Sequence, residues 1–183
     1  ATGDTDQAIA HYLTVVDKQP KHLPALLTVG MLLQQQGDLD QAQSYYEKCL
    51  EIDNEFVPAA NNLAYLLIEN QGNLDKALSL VQMAKRLSPD DPGISDTLGW
   101  ALVHKKAYVS AIAHFEDALD KRGNDPTIHY HMAVALYRNS TPQAAKDHLH
   151  RALDLEVPFP EEEQARALLM GMKNGEKTEE RSD

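Results

Sequence analysis

Alanine recurs along this chain at a nearly constant interval. Each recurrence follows a polar turn, and the spacings are 34, 35, 34 and 34 residues, at Ala8, Ala42, Ala77, Ala111 and Ala145. A large apolar residue stands four positions later, at Tyr12, Tyr46, Val81, Phe115 and Leu149, and a smaller one seven positions later, at Val15, Cys49, Ala84, Ala118 and Ala152. Positions i, i+4 and i+7 share one face of an α-helix. The pattern predicts an amphipathic helix that repeats about every 34 residues, as in a repeat array.

Another amphipathic helix precedes this one in each repeat and is called the first helix of the repeat; the helix with the recurring alanine is the second. It is marked by a small residue twelve or thirteen positions before the alanine, at Gly30, Ala64, Gly99 and Ala133. Small side chains let two helices approach closely where they cross. Proline is tolerated in the first turn of a helix and excluded from its interior, so the prolines mark helix starts. These signals predict ten helices, at residues 4–18, 23–35, 39–52, 57–70, 74–87, 92–105, 108–121, 126–138, 142–154 and 161–172.

A 34-residue helix-turn-helix unit with small, large and proline positions in this order resembles the tetratricopeptide repeat family. The resemblance covers residues 1 to about 172 and is most complete between Pro92 and Asp125, where Leu98, Gly99, Tyr108, Ala111, Phe115, Ala118 and Leu119 match. It implies an all-α fold, a right-handed superhelical solenoid of antiparallel helix pairs. The implied parts are a half repeat at 1–22, repeats at 23–56, 57–91, 92–125 and 126–159, and a C-terminal capping helix at 160–172.

The ends and one turn position depart from an ideal array. Residue 1 falls at about the thirteenth position of a repeat, and a solenoid repeat cannot bury its apolar face alone, so we expect the natural protein to continue upstream. Residues 173–183 have no apolar side chain, which predicts a disordered tail. Lys106 and Ser140 stand where the family places a turn glycine, and this affects local geometry.

Charge and cysteine content argue against several classes of partner and site. The formal net charge is −11, so nucleic acid and anionic membranes would be repelled at long range. We therefore expect no nucleic-acid partner and no direct membrane contact. The single cysteine, Cys49, is incompatible with an internal disulfide framework or a cysteine-based metal cage.

No residue pattern in the sequence predicts catalysis or a metal site. The closest pairs among the eight histidines are His129 with His131 and His148 with His150. Residues two apart on a helix point about 200° away from each other, so neither pair is expected to converge on one ion. Cys49 falls at a buried helix crossing, where a thiol is inert packing. We expect no metal, no cofactor and no enzymatic activity.

The family resemblance also implies a binding surface, because in that family the first helix of each repeat lines a concave groove. Aromatic side chains there are typical interaction anchors, since they bury much area at little entropy cost. Tyr65, Trp100 and Tyr130 are therefore expected to keep exposed surface; the alternative is that a tight superhelix shields them against one another. The predicted groove residues are Leu27, Met31, Asn61, Asn62, Tyr65, Asp96, Trp100, His104, Tyr130, Val134, Tyr137 and Arg138.

The chemistry of this groove limits its ligands. Asn61 and Asn62 offer amide hydrogen bonds to a peptide backbone. Only Arg138 and His104 bring positive or titratable nitrogen groups, so a strongly acidic ligand is not expected.

The sequence thus favours a non-catalytic scaffold that binds a peptide or a partner protein. One alternative is a self-association module that joins copies into a homo-oligomer, and another is an accessory domain of an enzyme encoded upstream. The segments at 61–67, 96–102 and 128–132 are also similar to bacterial repeat proteins of the cell envelope, some of which accompany exopolysaccharide export. That similarity implies a bacterial protein of the cytoplasm, or of the periplasm and cell envelope.

Overall fold

The computed structural model describes the backbone of residues 2–179 and the side chains of residues 4–172. Within this range the chain forms ten α-helices and no strand, so the predicted all-α class is confirmed. The first nine helices begin and end within two residues of their predicted bounds. The helices are α1 (Thr2–Lys18), α2 (Leu23–Gln36), α3 (Leu39–Ile52), α4 (Val57–Glu69), α5 (Leu74–Leu87), α6 (Pro92–His104), α7 (Tyr108–Lys121), α8 (Pro126–Arg138), α9 (Pro142–Asp154) and α10 (Glu162–Glu179).

Polar caps and prolines set the helix starts. Asp91 accepts hydrogen bonds from the backbone N–H of Gly93 (2.8 Å) and of Ile94 (3.3 Å), directly before α6. Asp125 caps α8 in the same way. Such side-chain oxygens satisfy N–H groups that have no partner inside the helix. A proline follows each of these caps, where its missing N–H costs nothing.

The turn inside each helix pair places one residue in the left-handed region. The residues are Gly37 (φ 84°), Gln71 (φ 52°), Lys106 (φ 61°) and Ser140 (φ 61°), which repeat at intervals of 34, 35 and 34 positions. Glycine adopts this conformation without strain, whereas a side chain makes it less favourable. The turn geometry is therefore retained in all four pairs even though only one of them has glycine there.

The helices group into two compact units, residues 1–89 and 90–183. In the first, α2 packs against α3 and α4 against α5, while α1 lies on α2 and α3 on α4. In the second, α6 packs against α7 and α8 against α9, while α7 lies on α8 and α10 on α9. None of the helices in the described range combines the length and apolar character needed to span a bilayer.

The helix pairs match small residues to large ones at their crossings. The recurring alanines from Ala42 onward are fully buried. A Cβ atom on Gly30 would lie 2.7 Å from Cε1 of Tyr46, and one on Gly99 would lie 2.6 Å from Cε1 of Phe115. Glycine is thus required where the opposing residue is aromatic. The equivalent positions in the other two pairs hold alanine and a smaller aliphatic partner, Ala64 with Val81 and Ala133 with Leu149.

The C-terminal helix is longer than predicted. α10 runs to Glu179, so the expected disordered tail does not begin at residue 173, and residues 180–183 lie outside the described residues. The absence of apolar side chains predicted disorder. Lysine and glutamate nevertheless have high helix propensity, and extending an existing helix costs less than nucleating a new one.

Candidate partner-binding surface

A cavity of about 420 Å³ opens between α6 and α8 in the second unit. It is lined by Trp100, Val103, His104, Lys106, Tyr108, Tyr130, Val134 and Arg138. Five of these residues, namely Trp100, His104, Tyr130, Val134 and Arg138, belong to the predicted groove. The structure therefore brings together side chains of two successive first helices that stand about thirty residues apart in the sequence.

Trp100 forms part of this wall and is largely buried. Its exposed fraction is 8%, so the expectation that it keeps substantial exposed surface is wrong. Its indole stacks on the ring of His131, with centroids 4.1 Å apart and planes 16° apart. The centroid of the His104 ring lies 5.0 Å from that of the indole in a T-shaped arrangement, and the centroid of the Tyr130 ring lies 6.3 Å away with the planes tilted by 52°. The exposure prediction fails because the indole is covered by the ring of His131, which is itself fully buried.

Asp96 holds the ring of His131, on which Trp100 stacks. Its Oδ1 lies 2.8 Å from Nδ1 of His131, and since a carboxylate has no proton to give, the imidazole donates. Asp96 is 8% exposed and His131 is fully buried. Asp96 was predicted to line the groove; its side chain instead holds His131, and through His131 the orientation of Trp100.

The remaining predicted residues of the second unit differ in exposure. Tyr130 and Val134 are half-buried, and His104 and Arg138 are exposed. Tyr137 is 43% exposed and is not among the residues that line the cavity. An aromatic ring, an aliphatic side chain and a guanidinium group are thus accessible together.

Sequence reasoning missed two lining residues, Lys106 and Tyr108, which belong to the turn and the start of the second helix. Val103 lies on α6 one turn from Trp100, at another of the first-helix positions that the family resemblance assigns to the groove. The prediction considered only fixed positions of first helices.

In the first unit the predicted groove residues have mixed roles. Met31 is 51% exposed, and Leu27 and Tyr65 are half-buried. Asn62 hydrogen bonds with the phenol of Tyr46; burial raises the pKa of that phenol to about 12, against the opposing effect of this bond. Asn62 is therefore engaged in packing. Asn61 has a buried Oδ1 that accepts no hydrogen bond from the described residues.

Two histidines meet between α8 and α9. The Nδ1 atoms of His129 and His148 lie 2.9 Å apart, and Nε2 of His129 lies 3.0 Å from the carbonyl oxygen of Gly123. A carbonyl only accepts, so Nε2 of His129 carries the proton and its Nδ1 accepts from Nδ1–H of His148. The helical-wheel argument compared residues within one helix and so did not anticipate this contact.

The neutral forms of both histidines are favoured in the folded protein. Burial, with smaller contributions from the neighbouring His129 and Arg151, lowers the pKa of His148 to about 4, against the opposing effect of Asp147. Burial also lowers the pKa of His129, helped by Arg151 and opposed by its hydrogen bond to Gly123 and by Asp125.

The histidine pair should make stability fall as the pH is lowered from about 6.5 towards 4. In that range the unfolded chain binds more protons than the folded one, so the free energy of unfolding decreases with decreasing pH. In His148→Gln an amide donor replaces the titrating ring, and the loss of melting temperature between pH 7 and pH 5 should be smaller than in the wild type. His150→Gln, an exposed position on the same helix, is the control. Equal pH dependence in all three proteins would contradict the pair's role.

The described side chains provide no metal centre and no activated thiol. No group of three or more His, Cys, Asp or Glu residues placed to hold a metal ion occurs among them. Cys49 is fully buried, and burial raises the pKa of its thiol to about 11. The thiol is therefore neutral near pH 7 and acts as an apolar packing group.

Helix pairs that repeat every 34 residues, cross at glycine or alanine and leave an aromatic cavity between successive first helices define an α-helical repeat protein. Two models of the tetratricopeptide repeat match the sequence, one over residues 1–55 and the other over residues 33–99. This chain belongs to the tetratricopeptide repeat family.

Known proteins similar to this chain come from bacteria, fungi and a mammal. The TPR repeat-containing protein PA4667 of Pseudomonas aeruginosa is 28% identical over 102 residues, covering 56% of this chain and 17% of that protein. The anaphase-promoting complex subunit CDC16 of Saccharomyces cerevisiae is 28% identical over 174 residues, covering 91% and 20%. The chain spans 17 to 23% of the length of the curated relatives it matches.

Solved structures with the same fold include two kinds of protein. The crystal structure of the APC/C hetero-tetramer Cut9–Hcn1 matches with a TM-score of 0.83 and 22% identity, covering 97% of this chain and 35% of that one. MamA from Desulfovibrio magneticus matches with a TM-score of 0.70 and 19% identity, covering 85% and 87%. At these identities the likeness establishes the fold alone.

Proposed function

We propose that this chain is a non-catalytic scaffold that binds a peptide or a segment of a partner protein through side chains of its first helices, on α6 and α8 of the second unit and, separately, on α2 and α4 of the first. The cavity between α6 and α8 is the observation that carries this proposal. Aromatic and aliphatic side chains form its walls, with basic groups beside them. No Asp, Glu, Ser or Cys is among its lining residues.

Exposure of the first-helix side chains supports binding through these helices. Tyr65 and Tyr130 are half-buried, and Met31 and Tyr137 are 51% and 43% exposed. Aromatic side chains held by neighbours but open on one side are efficient anchors, because little rotamer freedom is lost on binding. Several relatives are, by name, subunits of the anaphase-promoting complex, so similar repeats occur in multi-protein assemblies.

Site-specific photo-crosslinking in the organism of origin tests this function. The photo-reactive amino acid p-benzoylphenylalanine is placed at Tyr65 or at Tyr130, both on first helices. The same probe at Val109, which is 72% exposed on α7, is the matched control. We expect discrete adducts with another protein from the first two positions and none from Val109, identified by mass spectrometry. Adducts that form equally from Val109, or no adducts at all, would count against the scaffold.

A further inference from the structure

We propose that the cavity between α6 and α8 binds a partner segment in which an aromatic or large aliphatic side chain stands next to an aspartate or glutamate. This inference rests on the scaffold function and specifies the chemistry of its ligand. It departs from the sequence-based expectation, which counted only Arg138 and His104 as candidate positive groups, because the structure adds Lys106 to the same cavity.

The interior of the cavity suits one or two apolar side chains. Trp100, Val103, Tyr130 and Val134 contribute its walls. A volume of about 420 Å³ lies at the small end of the range for ligand pockets, roughly 300–1,000 Å³. That is room for side chains of an extended segment and too little for a whole helix. The tether from Asp96 to His131, on which Trp100 stacks, keeps this wall in one orientation before a ligand arrives.

Two exposed cationic side chains stand at the opening of the cavity. Lys106 and Arg138 are exposed, and neither forms an ion pair with another residue in the described part of the chain. In a chain with a formal net charge of −11, two such cations beside an aromatic cavity are complementary to a carboxylate. A carboxylate alone would be held weakly at an exposed site, so the apolar neighbour is part of the recognition.

The charge of Lys106 is not required by its turn. The equivalent turns hold Gly37, Gln71 and Ser140, so this turn forms without a cation. Gln71 and Ser140 share the left-handed conformation of Lys106 (φ 52°, 61° and 61°), so the backbone alone does not single out Lys106. Its distinguishing feature is a positive charge among the residues that line the cavity.

Selection from a displayed library of random seven-residue peptides, with the full chain immobilised, tests this ligand chemistry. We expect enriched peptides to carry an aromatic or large aliphatic residue within two positions of Asp or Glu. A synthetic peptide of the enriched sequence is then titrated against the protein in solution. Trp100 is the only tryptophan, so its fluorescence reports binding at this cavity.

Matched variants identify the groups that bind the carboxylate. Lys106→Gly and Arg138→Gln should each weaken binding about three- to tenfold, and the peptide with Gln in place of Glu should lose a similar factor. Ser140→Gly has the same turn geometry outside the cavity and should bind as the wild type does. Lys106→Gly suits the left-handed turn, so its melting temperature should not fall. Replacing Glu by Gln in the peptide should weaken its binding by a smaller factor in Lys106→Gly than in the wild type, because one of the cations that binds the carboxylate is already absent.

Three results would overturn the inference: enriched peptides without acidic residues, wild-type affinity in both cation variants, or no enrichment at all. If peptides bind without dependence on Lys106 or Arg138, and the crosslinks at Tyr65 and Tyr130 are found, the scaffold function stands and the ligand chemistry is wrong. If neither peptides nor crosslinks are found, both proposals fail.

Discussion

Gly99→Ala should lower the free energy of unfolding by about 1–3 kcal/mol, the usual cost of overpacking a core. The added Cβ would lie 2.6 Å from Cε1 and 2.9 Å from Cδ1 of Phe115, which is fully buried and cannot swing away. Alanine has the better intrinsic helix propensity, so a loss of stability would isolate the steric effect. Urea denaturation followed by circular dichroism measures it.

A second substitution should restore part of the lost stability. Phe115→Leu reproduces the pairing of Ala133 with Leu149 in the next repeat, so Gly99→Ala should cost less in that background than in the wild type. Gly171→Ala is the control, because a Cβ at this exposed position in α10 meets nothing within 4 Å. Equal losses of stability from Gly99→Ala in both backgrounds would mean that the helix crossing does not set the glycine requirement.

Asp96→Ala should cost about 1.5–3 kcal/mol of stability and change the fluorescence of Trp100. The substitution removes the acceptor of a buried charge-assisted hydrogen bond and leaves Nδ1 of His131 without it. His131 is the ring on which Trp100 stacks, so a change in its position should alter the emission wavelength of the indole. Thermal melting and emission spectra measure the two effects.

Two further variants separate this role from a general loss of charge. Asp96→Asn keeps a side-chain oxygen as acceptor and should retain more stability and a nearly native emission spectrum. Asp120→Ala removes an exposed carboxylate from α7 and should change neither. Native fluorescence in Asp96→Ala would contradict the positioning role of Asp96.

The helices and their pairing were predictable because they depend on signals that are local or strictly periodic. Alanine every 34 residues, glycine at two crossings and proline at helix starts each reflect one packing or backbone requirement. Those requirements recur in every pair, so one pattern specifies all of them. The length of α10 was not predictable from composition alone, since helix extension depends on the helix already formed before residue 173.

The candidate surface was predictable only as a set of positions. The repeat pattern places Trp100 and Tyr130 on first helices. It does not reveal that His131 lies under the indole or that Asp96 forms a hydrogen bond with His131. Those contacts join residues 31 to 35 positions apart and depend on the particular side chains. Lys106 was missed for a related reason, because the turn between helices directs its side chain to the cavity.

The most direct measurement of the central claim is the crosslinking yield at Tyr130 relative to that at Val109, with the same photo-reactive residue at both positions. Both positions are accessible, but only Tyr130 lies in the cavity. The scaffold account predicts a discrete partner adduct from Tyr130 and background from Val109. Equal yields at the two positions, or adducts from Val109 alone, would contradict binding through the first helices.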